Sequence, residues 1–288
     1  MVNYHSEKLK SGLYLVATPL GSARDITLRA LDVLSSCDAI AAEDTRSMRK
    51  LLNIHNIPIN DRPLLSYNDF NGDQVRPKIF EWLDSNMAVA YASDAGMPLI
   101  ADPGYQLSKQ AADRGFYVTS VPGASACITA LTLSGLPTDR FFFEGFLPVT
   151  QEKRRQKLKE LSNLQSTLIF YESPKRLIKM FDDLVAIMGE NRRAVIAREL
   201  TKKFEQIISG TLAELYAIIQ KEQLKGELVV LLDRPISTGL ADIDVKAELS
   251  VALSKMTLKD ASNFVAAANG LSKRYVYNLA LSMRENLK

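Results

Sequence analysis

Residues 89 to 104 read VAYASDAGMPLIADPG. The stretch opens as an apolar strand. It then gathers Asp94, Asp102, Gly96, Gly104, Pro98 and Pro103, with no Lys or Arg to take a phosphate. Glycine lets a backbone approach a ligand closely, and a carboxylate accepts hydrogen bonds and offsets positive charge. Four more turns carry a similar mixture: ATPLGSARDIT (17–27), AEDTR (42–46), VPGASA (121–126) and FYESPKR (170–176). Any one of them alone reads as a plain strand-to-helix turn with a cap. Five together, each at the C-terminal end of a candidate strand, would surround one cleft, which is where open α/β sheets bind ligands.

Other chemistries are excluded by what is missing. No two glycines are spaced as GxG, and there is no GxxxxGK run. That argues against the dinucleotide fingerprint, the glycine-rich loop of the commonest methyltransferase fold and the phosphate loop. The two histidines, His5 and His55, lie in no HxxxH or Cys/His cluster. Neither a zinc site nor a Ser-His-Asp triad is expected, and no metal is assigned. Cys37 and Cys127 read as reduced core thiols of a cytoplasmic protein. No apolar run is long enough to span a bilayer, and MVNYHSEKLK has no apolar core of a secretory signal. A net charge of +3 does not by itself imply nucleic acid. The basic run QEKRRQKLKEL (151–161) reads first as a helix with a solvated face.

Short apolar runs alternate with amphipathic stretches and position these turns. Strands are expected at 12–18, 38–44, 88–94, 116–122, 140–146, 166–173, 193–201 and 226–233. Several are apolar on both faces, as suits strands covered by helices on each side. Helical patterns fall at 25–36, 45–55, 105–115, 125–135, 174–189 and 211–223, with Asp25 the expected N-cap of the first. Gly115, Gly135 and Gly189 sit where C-terminal caps belong. The expected organisation is an α/β domain over 11–121, a second α/β domain over 122–235 and a helical appendage over 240–288. The appendage reads as helices at 244–254, 257–270 and 272–284, with Tyr275 and Tyr277 packing its core or stacking on bases.

In order and spacing, LVATPLGSARDIT, AEDTR, SDAGMPLIADPG, VPGASA, GFLP and FYESPKR resemble the tetrapyrrole-methylase superfamily. With RELTKKFEQIISGTL (198–212) and GELVV (226–230), the chain is similar to its ribosomal RNA branch, the 16S rRNA cytidine 2'-O-ribose methyltransferases. The resemblance covers about residues 12 to 284. It implies S-adenosylmethionine in a cleft between two α/β domains, a homodimer, and transfer of a methyl group to a ribose 2'-hydroxyl in the decoding region of 16S rRNA in the small ribosomal subunit. It assigns the cofactor to Leu20, Asp94, Gly96, Met97, Ile100, Ser125, Ala126 and Tyr171, with backbone near Glu227 to Val229. Met97 stands where this branch more often has Thr, Ala124 where it often has Pro, and GSARDIT departs from the usual Gly-Asn-Leu form. A sulfonium zwitterion carries no phosphate, so a cation-free loop suits it.

For that reaction Glu43 and Asp44 are candidates for the base or an orienting group, and equally for a capping pair of the helix starting at Thr45. Arg46 and Arg176 are candidate phosphate anchors, Lys175 could share that task and Glu172 could position substrate. The alternatives are a methylase of a small corrinoid or porphyrin, and a non-catalytic RNA-binding assembly factor on the same fold.

Overall fold

The computed structural model describes residues 4–235, 240–269, 271 and 273–285. It divides into two compact units, one ending at Arg234 and one beginning at Pro235.

The first unit contains two five-stranded sheets. The first runs β3-β2-β4-β1-β5, from β1 (Gly12–Val16), β2 (Ala39–Ala42), β3 (Leu64–Ser66), β4 (Ala88–Ala92) and β5 (Val118–Val121). Every pairing in it is parallel. Parallel strands need crossovers, and helices α1 (Leu28–Ser36), α2 (Thr45–Ile54), α3 (Gly72–Asp84) and α4 (Tyr105–Asp113) lie among them. The period-two alternation of the strands divides the core. Val16, Ile40, Ala42, Ala90 and Ala92 pack with Leu31 and Leu34 of α1 and with Met48 and Leu52 of α2. Leu13, Ala41, Val89 and Tyr91 pack with Ile79 and Phe80 of α3 and with Leu107 of α4. Every residue of β2 and β4 is buried, as burial on both faces requires.

The second sheet is mixed and runs β6-β7-β10-β8-β9. Its strands are β6 (Phe141–Phe146), β7 (Thr167–Glu172), β8 (Arg193–Arg198), β9 (Gln206–Thr211) and β10 (Leu228–Leu232). Only β6 and β7 pair in parallel. Helices α6 (Gln151–Leu161), α7 (Pro174–Met188) and α8 (Leu212–Lys221) cover one face, through Leu158, Leu177, Phe181 and Leu215. On the other, α5 (Ala126–Ser134) packs Ala130 and Leu131 against Ile169, Val195 and Leu231.

The described C-terminal elements are all helical: α9 (Leu240–Leu253), α10 (Leu258–Ala268) and α11 (Lys273–Glu285). They close on Leu249, Ala261, Val265, Val276 and Ala280. Among the described residues no helix is long and apolar enough to cross a membrane.

Three local expectations are corrected. Asp25 does not cap α1. It ends a turn of 3-10 helix, Ala23–Asp25, and Thr27 caps α1 by accepting from the Ala30 amide at 3.1 Å. Two strands, β3 and β9, and the helix α3 lie where no element was expected. Tyr275 and Tyr277 flank the buried Val276 and do not enter the core, being 40% and 41% exposed.

Candidate active site

The turns that follow β1, β2, β4, β5 and β7 meet at one cavity of about 400 Å³. Leu20 comes from the first turn and Glu43 from the second. Asp94, Gly96, Met97, Ile100 and Asp102 come from the third, and Ser125 and Ala126 from the fourth. Tyr171 and Glu172 end β7, and Leu200 and residues 226–229 close the remaining side. The eight residues expected to hold a cofactor all line this cavity, as do Glu43 and Glu172.

The turn after β4 is fastened at several points. Thr18 and Gly96 exchange backbone hydrogen bonds of 2.9 and 3.0 Å, an isolated bridge between the turns after β1 and β4. The Thr18 hydroxyl donates to the Ser93 carbonyl at 3.1 Å. Gly96 has φ +80°, and a Cβ there would lie 3.2 Å from Leu20 and 3.3 Å from the Ala124 carbonyl. Gly104 has φ +114°, and a Cβ there would lie 2.3 Å from the Tyr91 ring, whose hydroxyl donates to the Pro103 carbonyl at 2.7 Å. Leu99 and Ala101 adopt φ of +72° and +61°. Left-handed backbone costs a non-glycine residue about 1 kcal/mol or more. Ala101 stands in the cavity wall and Leu99 two residues before it, so the strain sits in the turn that forms that wall.

The carboxylates differ in what they face. Glu43 accepts from the Asp94 amide at 3.1 Å, and Asp94 accepts from the Asp44 amide at 3.2 Å, so the turns after β2 and β4 are cross-tied. Burial raises the Glu43 and Asp94 carboxyls above the usual range. Burial, then the neighbouring Glu43 charge, pushes Asp102 up to about 7. Asp44 goes the other way: bonds from the Arg46 side chain and amide hold it at about 2. It caps α2 through the Arg46 amide at 2.7 Å. It lines a neighbouring cavity of about 240 Å³ that shares Leu20 and Asp94 with the first. Glu172 is buried; one oxygen accepts from the Ser173 amide at 2.8 Å and pairs with Arg176 at 3.2 Å, and the other has no partner. Burial raises its carboxyl too. The Tyr171 hydroxyl accepts from the Cys127 amide at 3.0 Å, at the N-terminus of α5. Its ring meets Phe143 and Phe146 edge-on.

The cations expected to anchor phosphate do not line the cavity. The Arg46 side chain is 90% exposed and paired with Asp44. Arg176 folds back to Glu172 and to the Leu147 and Pro148 carbonyls. Lys175 is exposed at the start of α7. The basic run 151–161 is also partly consumed within the fold. Arg154 and Arg155 both pair with the buried Asp183, and Lys157 pairs with Glu160 and Glu144.

The lining thus holds five carboxylates (Glu43, Asp94, Asp102, Glu172 and Glu227) and no Lys, Arg or His. Arg176 and Lys202 pair from outside the lining with Glu172 and Glu227, and the acidic character that Glu43, Asp94 and Asp102 leave opposes a phosphate-bearing cofactor and favours a cationic one. With backbone open at Gly96 and an apolar wall of Leu20, Ile100 and Leu228, the site fits an amino-acid sulfonium joined to a nucleoside. Asp102 and Leu200 were given no role by the sequence. For Asp102 the signal was present, a carboxylate within the same Gly/Pro turn, but its burial was not. Among the described residues no three His, Cys, Asp or Glu side chains are placed to share a metal ion.

Residues 12–216 match the family model of the tetrapyrrole (corrin/porphyrin) methylases, and residues 240–284 match the RsmI C-terminal HTH domain. A protein of Vibrio cholerae named ribosomal RNA small subunit methyltransferase I is 43% identical over 96% of this chain and 95% of its own. One of the same name from Mesorhizobium japonicum is 40% identical over 96% and 94%. Among solved structures, the fold is similar to that of uroporphyrin-III C-methyltransferase from Thermus thermophilus, complexed with S-adenosylhomocysteine. The TM-score is 0.55 at 16% identity, over 77% of this chain and 97% of that one.

Proposed function

Because the chain belongs to the tetrapyrrole (corrin/porphyrin) methylase family, we propose that it transfers a methyl group from S-adenosylmethionine to ribosomal RNA of the small subunit. The acceptor in this reading is the ribose 2'-hydroxyl of a cytidine in the decoding region of 16S rRNA. The observation that carries it is the cavity itself: five turns, five carboxylates and no cation. The RNA substrate rests on relatives that share 40% or more of their residues over nearly the full chain.

Asp94, Gly96, Met97 and Ile100 hold the cofactor from one side, and Leu20, Ser125, Ala126 and Tyr171 from the other, with backbone from Glu227 to Val229 closing the wall. When bound, the cofactor supplies a methyl group made electrophilic by its sulfonium. The residues of the chain then align the acceptor oxygen with that methyl and take the hydroxyl proton. Asp44, ionised and occupied by Arg46, orients the turn after β2. Glu43 and Asp102, which both line the cavity, receive the proton; burial and the neighbouring Glu43 charge push the Asp102 carboxyl up to about 7, the range a general base needs. The unpartnered Glu172 oxygen accepts from the substrate. Arg46 and Lys175 meet the RNA backbone outside the cavity, while Arg176 holds Glu172 in place.

A homodimer fits the same reading. Edge strand β6 leaves Phe141, Phe142 and Phe146 exposed, and a second copy would cover them. A ribosomal substrate places the reaction in the cytoplasm.

The test is tritium transfer from labelled S-adenosylmethionine to unmodified 30S subunits, followed by nucleoside analysis. Label in 2'-O-methylcytidine is the expected result. Cofactor binding with label only on a corrinoid or porphyrin would replace the RNA reading with the small-molecule one. RNA binding with no transfer would leave an assembly factor.

A further inference from the structure

The C-terminal helices hold a second cavity, of about 410 Å³, with the opposite character. It is lined by Lys259, Ser262 and Asn263 of α10 and by Lys273, Arg274 and Tyr277 of α11. The spacings 259/262/263 and 273/274/277 place these residues on one face of each helix. Three cations line it and no carboxylate does. Among the described residues none of these cations is in an ion pair. Asp260, the acid beside Lys259, is engaged by the Thr257 hydroxyl at 2.6 Å. Lys259 lies in the first turn of α10 and Lys273 opens α11. Val276 is buried in the helical core, and Tyr277 beside it stays 41% exposed at the cavity.

Three cations outside any ion pair, beside an exposed aromatic ring, match one ligand chemistry: a phosphodiester chain whose bases are free to stack. We infer that this cavity receives a single-stranded segment of RNA, its phosphates held by Lys259, Lys273 and Arg274 and one base stacked on Tyr277. The inference rests on the proposed RNA substrate and adds a docking site that contains none of the methyl-transfer residues.

The experiment uses the full chain, the triple variant K259Q/K273Q/R274Q, the single variant Tyr277→Ala and, as a control on the exposed face of α9, Lys246→Gln. Binding of a single-stranded oligonucleotide from small-subunit RNA is followed by fluorescence anisotropy across salt concentrations. S-adenosylmethionine affinity and the KM and kcat for 30S subunits are measured in parallel. The triple variant should bind RNA at least tenfold more weakly, with a salt slope shallower by about two. Its KM for subunits should rise while kcat and cofactor affinity hold. Tyr277→Ala should lose about tenfold in affinity with the slope unchanged, and Lys246→Gln should match the wild type. If the wild-type chain methylates subunits and the triple variant keeps wild-type RNA affinity and slope, the docking site is wrong and the proposed function stands. If the wild type binds cofactor but neither binds RNA nor methylates subunits, the proposed function fails and this inference with it. Tighter binding of duplex DNA than of the RNA strand would also overturn it.

Discussion

The cavity of the α/β unit and the cavity of the C-terminal helices are close in size and opposite in charge. The first is lined by five carboxylates and no cation, the second by three cations and no carboxylate. The chain's net charge of +3 hides both. The difference suits the ligands proposed for them, which are of opposite sign: a sulfonium cofactor is favoured by negative surroundings and a polyanion by positive ones. The walls differ as well. The acidic cavity is assembled from turns cross-tied by Glu43, Asp94 and the Thr18–Gly96 bridge, with left-handed residues in its rim. The basic cavity is made from two helix faces whose spacing alone aligns its side chains. Chemistry that must align three atoms calls for the first kind of wall; docking is satisfied by the second.

The largest effect is expected at Gly104. Gly104→Ala forces a Cβ into the Tyr91 ring at a φ of +114°. The α/β unit should lose about 3 kcal/mol or more by denaturant melts, with cofactor binding lost while the C-terminal helices keep their RNA affinity. Retained cofactor binding would show that the strained turn is not what holds the acidic cavity open. Next is Asp102→Asn. If Asp102 receives the proton, kcat should fall on the order of 10²-fold, and the rise of rate through about pH 7 should vanish from the pH profile. Stability supplies an independent readout. A carboxyl raised from about 4 to about 7 binds more protons folded than unfolded, so its ionisation lowers stability as pH climbs through that window. The Asn variant should therefore be the more stable protein at pH 8 and lose that advantage below about pH 4. A wild-type pH profile in the variant would remove Asp102 from proton transfer.

A smaller effect is expected at Gly96, where an added methyl meets Leu20 and the Ala124 carbonyl at just over 3 Å. Gly96→Ala should weaken cofactor binding by about tenfold in calorimetry, through backbone strain and a narrowed approach. Smallest is Tyr171→Phe, which leaves the Cys127 amide without its acceptor. It should cost about 1 kcal/mol in a thermal melt, with only a few-fold loss of cofactor affinity. A larger loss of affinity would mean that the hydroxyl meets the cofactor directly.

Much of this architecture was legible in the residues. The fully apolar β2 and β4 announce strands buried on both faces, and Gly115, Gly135 and Gly189 follow the helices they were expected to end. The five turns converge as their composition suggested. The misses have physical reasons. Helix α3 carries Pro77 within it, a residue that normally ends a helix, and is held by burial of Ile79, Phe80 and Leu83. Strands β3 and β9 are partly exposed edges without a run of core residues. Thr27 outcompetes Asp25 as the cap because the chain makes a 3-10 turn first. Asp102 showed its type and spacing but not its surroundings, and surroundings are what raise its carboxyl. The basic run 151–161 overstated the free charge that reaches solvent, since the buried Asp183 draws Arg154 inside the fold and pairs with the half-exposed Arg155.

The acidic cavity draws its wall from Leu20 near the start of the α/β unit and from Val229 near its close. On a ribosome synthesising this protein, the first sheet can form long before β10 has emerged. The cofactor wall is then still incomplete. The chain acquires its binding cleft only at the close of translation of the α/β unit, so a nascent chain stalled before residue 229 should carry the first sheet and no complete site.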